Sequence, residues 1–136
     1  MNRQTLKEII TILILIELLL SIYLVYYQDS AFCLKGFSCA EVQNSSYAQL
    51  FGIKLTYFGL LAFAALFIVN ALTLYTEHKR IKQLLMLMVS LGALFSIYFL
   101  SIQFFILKKV CSSCLLIDGL MILILLISIY EYKKYK

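Results

Sequence analysis

The chain of 136 residues has no proline and no tryptophan, a single histidine, and only 14% charged residues. Without proline, nothing in a long apolar run interrupts helical hydrogen bonding. One histidine leaves any clustered metal site to the four cysteines. The scarcity of charge, with 63% hydrophobic residues and a mean hydropathy of +0.95, excludes an ordinary soluble domain, for which about 45–50% apolar is usual. The length allows one domain, 1–136.

Four stretches are long enough to cross a bilayer, which takes roughly 20 apolar residues: 9–27, 55–75, 84–107 and 110–130. The second and third carry no formal charge; the first carries Glu17 and the fourth Asp118. Backbone polar groups in lipid must be paired within the segment, so each stretch is expected to be a helix. The predicted fold is an all-α integral membrane protein, a bundle of four transmembrane helices. The first stretch exceeds the apolar core of a signal peptide, about 7–15 residues, and no A-x-A-like site follows it. It is read as a retained helix.

The net charge of +5 does not point to nucleic acid, because its distribution follows the helices. Arg3, Lys7, Lys79, Arg80, Lys82, Lys133, Lys134 and Lys136 fall at one end of the bundle; Lys35, Lys54, Lys108 and Lys109 fall at the other. By the positive-inside rule the first end, with both termini, is cytoplasmic in a cell membrane, inner or plasma. The loop 28–54 is then outside.

That topology puts all four cysteines outside: Cys33 and Cys39 in the loop, Cys111 and Cys114 at the mouth of the fourth helix. Disulfides persist in that compartment. Four cysteines allow three pairings; nearness favours 33–39 and 111–114. An all-cysteine zinc site fits "CSSC" but not the five residues between Cys33 and Cys39, and no metal is expected. Structural disulfides are a second reading, but a Cys-x-x-Cys bridge closes too short a loop to stabilise much. A redox relay is the third. Cys-x-x-Cys pairs recur in disulfide exchange, and a thiol at a helix start beside Lys108 and Lys109 has its thiolate favoured. A relay gives each pair a task, one meeting a soluble partner and one facing the lipid.

At 3.6 residues per turn, Cys111, Cys114 and Asp118 fall within about 60° on one helix face, with the acid roughly 10 Å below Cys111. An ionisable group at that depth is read as a functional site or, alternatively, as a protonated acid hydrogen-bonded to a neighbouring helix. Glu17 is expected to pair with a polar side chain at similar depth, Asn70 or Ser90. Phe32, Phe37, Tyr47, Leu50 and Phe51 give the outer loop an apolar side, and 40–51 is expected to form a short helical lid at the interface. Gly59 and Gly92 are expected to permit close helix contact.

Three stretches, "CLKGFSCAEVQNSSYAQLFGIKLTYFGLLAF", "SIYFLSIQFFILKKVC" and "CSSCL", resemble the vitamin K epoxide reductase family, specifically its compact microbial members. Together they cover most of 33–118. The resemblance implies a four-helix bundle around a quinone, menaquinone or ubiquinone, capped by the first loop. It implies that Cys33 exchanges with a thioredoxin-fold partner, Cys39 passes electrons to Cys111, and Cys114 faces the quinone. Val42, Ser45, Phe58, Phe63, Phe99, Gln103 and Leu107 match pocket positions in the family. The sequence departs from the animal members where a quinone-binding asparagine becomes Leu55 and a tyrosine becomes Asp118. Losing both donors argues against vitamin K epoxide as substrate; a protonated Asp118 is a replacement donor. Some longer members carry a fused thioredoxin-like domain; here the partner is expected to be a separate extracytoplasmic protein. The implied activity is that of a membrane thiol:quinone oxidoreductase supporting disulfide formation. Vitamin K quinone or epoxide reduction, and a non-enzymatic membrane protein with structural disulfides, are the alternatives.

Overall fold

The computed structural model describes residues 2–26, 46, 49–108 and 111–135. Cys33, Cys39, Val42 and Ser45 lie outside the described residues, as does most of the expected lid.

Four helices carry the fold: α1 (Arg3–Tyr26), α2 (Leu55–Tyr75), α3 (Lys79–Ser101), continued by a π-helical segment (Ile102–Leu107), and α4 (Ser112–Lys134). All four are long and apolar enough to span a membrane. The first, third and fourth reach further toward the basic end than the apolar stretches did. Arg3, Lys79 and Lys134 extend them, since charged side chains are compatible with helix once the chain reaches the interface. α4 starts two residues later than expected, because Cys111 is its extended N-cap (φ −100°, ψ 119°).

α1 buries Leu6, Ile10, Ile14, Glu17, Ser21 and Leu24, a stripe at spacings of three and four. It packs on α2 and α4, and α3 packs on the same two helices, closing a four-membered ring. Ile10, Ile14, Leu66, Val89, Met121 and Ile124 form the core near mid-depth. The polarity is inverted relative to a soluble bundle. Ile12, Leu19, Leu61, Leu94 and Phe105 face outward, while Glu17, Asn70, Gln103 and Asp118 are buried. In water that outer face would be a large aggregation-prone patch; in lipid it is a solvated surface, and the chain is a multi-pass membrane protein.

Gly92 permits the approach of α3 to α4: a Cβ there would run into the Met121 side chain. Gly59 is different. A Cβ there would meet Phe63 and Ser21 at 3.9 Å, ordinary contact, so no close helix approach depends on it.

The C-terminal part of the expected lid is not helical. Gln49–Leu50 (β1) and Ile53–Lys54 (β2) pair antiparallel, with Gln49 opposite Lys54. Phe51 and Gly52 turn the chain with φ of 54° and 78°. Two positive φ values in a two-residue loop are the signature of a tight hairpin turn whose twist matches the strands. Gly52 adopts that geometry without cost and ends any helix there. Phe51 is 92% exposed, projecting from the hairpin tip as an apolar anchor.

At the basic end, Arg3 and Lys7 reach Glu77 at 3.4 and 3.5 Å, and Arg3 lies 3.9 Å from Glu131. These contacts gather the start of α1, the turn before α3 and the end of α4.

Candidate functional site

The mouth of α4 is built by a backbone irregularity. Beyond Ser101 the third helix widens to π geometry, ending where Lys108 adopts a left-handed conformation (φ 52°) and donates its N–H to the Gln103 carbonyl. Such segments recur at functional sites because they redirect side chains without breaking the helix. Here the redirected residue is Gln103. It is fully buried, and its Oε1 accepts the Cys111 N–H at 3.1 Å.

Cys111 is buried and caps α4: its Sγ accepts the Cys114 N–H at 3.3 Å. Phe99, Leu55 and Leu107 pack around it. Cys114 is half-buried one turn further in. Asp118 follows at i+4 on the same face, 8% exposed, with the Ser96 hydroxyl as a hydrogen-bonding neighbour.

Below this mouth lies a cavity of about 490 Å³ lined by all four helices. α1 contributes Ser21 and Leu24, α2 Phe58, Gly59 and Phe63, α3 Phe95, Ser96 and Phe99, and α4 Cys114, Ile117, Asp118 and Met121. Lys54 sits at its rim. The walls are apolar and aromatic with a few convergent polar groups, the usual make-up of a small-molecule site of this size. A flat, largely apolar ring that offers carbonyl oxygens is chemically suited to it: aromatic faces to stack on, Asp118 and Ser96 to address oxygen, and Cys114 as the redox group. A second cleft, about 370 Å³, lies at the basic end among Arg3, Lys7, Glu77 and Glu131, at the opposite end of the bundle from Cys111 and Cys114.

Of the expected pocket residues, Phe58, Phe63, Phe99 and Asp118 line the cavity together with Cys114. Gln103 and Leu107 do not. The π segment turns Gln103 to the Cys111 backbone and sets Leu107 against the Cys111 side chain. Leu55 lines the cavity and offers it no hydrogen bond.

One residue escaped sequence reasoning, and another has surroundings unlike those expected. Ser96 is an ordinary serine in an apolar helix until α3 and α4 are packed. Glu17 was assigned a polar partner, but Asn70 donates to Thr11 at 2.8 Å and Ser90 bonds to the Met86 carbonyl. Among the described residues neither Glu17 oxygen has a hydrogen-bond partner. His, Cys, Asp and Glu form no metal-holding group among the described residues.

No curated protein matches this chain. The sequence model of the vitamin K epoxide reductase family matches residues 8–129 of the 136, taking in all four helices and all four cysteines. A match of that extent, on a helical membrane bundle with a Cys-x-x-Cys at the mouth of an apolar cavity, settles the kinship: the chain belongs to the vitamin K epoxide reductase family, whose members are membrane oxidoreductases that couple thiols to a quinone.

Proposed function

We propose that this protein oxidises the dithiol of a separate extracytoplasmic thioredoxin-fold protein and passes the electrons to a membrane quinone, menaquinone or ubiquinone. The observation that carries this reading is the placement of Cys114 and Asp118 in one apolar cavity, directly beneath Cys111.

The partner's thiolate attacks Cys33 of a Cys33–Cys39 disulfide. The resulting mixed disulfide is resolved by the partner's second thiol, leaving Cys33 and Cys39 reduced. Cys39 then attacks Cys111 of a Cys111–Cys114 disulfide and releases Cys114; Cys33 closes again on Cys39. Each step is a thiolate exchange, so its rate follows thiolate fraction and access. The dithiol of Cys111 and Cys114 gives two electrons and two protons to the quinone, leaving their disulfide and a hydroquinone. Gln103 fixes the Cys111 backbone during these exchanges, and Asp118 addresses a quinone oxygen. The cysteine end faces outward and both termini face the cytoplasm, as the basic residues direct. The apolar Leu55 favours a plain quinone over an epoxide.

The test is quinone absorbance in detergent, with a reduced thioredoxin-fold protein as donor. Wild type consumes quinone; Cys114→Ser and Cys33→Ser do not; a donor that lacks its second cysteine, and so cannot resolve the mixed disulfide, accumulates as an adduct on Cys33 of the wild type. Quinone consumption that survives Cys114→Ser rules the relay out. Stable disulfides with no quinone consumed make the cysteines structural. Faster turnover of an epoxide than of the quinone reassigns the substrate.

A further inference from the structure

Glu17 is a buried acid that the electron path does not use. It is 0% exposed at mid-depth in α1, and among the described residues both its oxygens lack hydrogen-bond partners. Among the described residues the charge that acts on it is another acid's. Asp118, on the helix that α1 packs against, is its electrostatic neighbour. Asp118 Oδ2 also lacks a partner among the described residues. An unpaired carboxylate is far costlier to bury than a carboxylic acid, and two in one site cannot both carry charge. Such a pair holds a proton.

Its surroundings say where that proton can go. One turn outward from Glu17, Ser21 lines the cavity, and one turn outward from Asp118, Cys114 does. In the other direction Ile10, Ile14, Leu66, Val89, Met121 and Ile124 seal the bundle. The polar cleft at the basic end lies beyond that seal, beginning at Ile10. Among the described residues, the other ionisable groups near the pair are Cys111 and Cys114, on the α4 side, and Lys54 at the rim; α2 and α3 bring Ser96 but no charge to the cavity.

We propose that Glu17 and Asp118 form a two-acid proton store for quinone reduction: Asp118 gives a proton to the quinone oxygen and Glu17 restores it. This rests on the quinone-reducing reading above. The net reaction is unchanged: two thiols and a quinone become a disulfide and a hydroquinone, and one of the two protons that the thiols release returns to Glu17, so the pair ends as it began. Asp118 is the donor, and Glu17, which acts through it, is a positioning residue.

The test uses the full chain in detergent with a soluble quinone. Glu17→Gln is expected to lower kcat for quinone by about 10²-fold, the low end of what a positioned acid contributes, with KM little changed. Thiol exchange with the reduced partner, measured without quinone, stays at the wild-type rate, and Glu17→Asp recovers part of kcat. In wild type, an apolar carbodiimide, which reacts with protonated carboxyls, modifies Glu17 or Asp118 by peptide mass spectrometry, and quinone protects them. Wild-type kcat in Glu17→Gln overturns the proposal, as does a wild type in which neither acid reacts. Labelling alone decides should Glu17→Gln lose thiol exchange as well. A wild type that reduces no quinone removes the underlying reading instead.

Discussion

Gln103 holds Cys111 by its backbone N–H, while the Cys111 sulfur accepts the Cys114 N–H. The bond from the Cys111 N–H to Oε1 satisfies a donor buried at the entry to α4. Gln103→Leu keeps the volume and removes the acceptor, leaving that N–H unpaired. An unsatisfied buried donor costs about 1–3 kcal/mol, so thermal unfolding in detergent is expected at a lower temperature, with slower exchange between Cys39 and Cys111. Unchanged unfolding would mean that the bond contributes nothing net. Asp118→Asn probes the other side of the cavity. It keeps a hydrogen-bond donor but cannot release a proton, so quinone is expected to bind while its reduction slows; an unaltered rate and pH profile would remove Asp118 from the chemistry. Asp118 stood out in the sequence because a charge in an apolar run is conspicuous. Gln103 was matched to the pocket by family resemblance alone; its bond to the Cys111 backbone was not legible, because no residue pattern announces the π segment in which it sits.

At the scale of elements, the helices were legible and their joints were not. Apolar length locates a span, but the interface lets Arg3, Lys79 and Lys134 prolong it. The hairpin at 49–54 was hidden because Leu50 and Phe51 read equally well as the apolar side of a helix; only Gly52 hinted at a turn. Gly92 and Gly59 look alike in sequence and differ in surroundings. Gly92→Ala drives a methyl into the terminal methyl of Met121, the far end of a flexible side chain that lines the cavity and can swing aside, so the cost is expected at or below the low end of the overpacking range, about 1–3 kcal/mol. Met121→Ala costs about 2–5 kcal/mol by itself, because it empties a buried site; in that background Gly92→Ala should cost nothing further, a coupling that separates steric conflict from helix propensity. Gly59→Ala should leave unfolding nearly unchanged, since its Cβ meets only ordinary contacts. It narrows the cavity instead, so its effect is expected in KM for quinone.

At the scale of the whole molecule, inverted polarity and charge asymmetry together set how the bundle stands in the membrane. The outward apolar face fixes that it is embedded; it does not distinguish one direction from the other. The proposed direction rests on the basic residues: among the described residues Arg3, Lys7, Lys79, Arg80, Lys82, Lys133 and Lys134 fall at the end where Arg3, Glu77 and Glu131 meet, against Lys54 and Lys108 at the other. Positive charges resist translocation, and short loops count most. The turn between α2 and α3 is short and carries Lys79, Arg80 and Lys82 just beyond it. A membrane-impermeant maleimide added to intact cells after mild reduction should therefore label Cys33 or Cys39. A single cysteine placed at His78 of a cysteine-free chain should label only once the membrane is opened. Replacing Lys79, Arg80 and Lys82 with glutamine should produce a mixed population, because Arg3, Lys7 and the C-terminal lysines still favour the original orientation. Labelling of position 78 from outside in the unmodified charge background would invert the topology. It would place the cysteines in the reducing compartment, where a relay that begins from a Cys33–Cys39 disulfide has no standing oxidised state to start from.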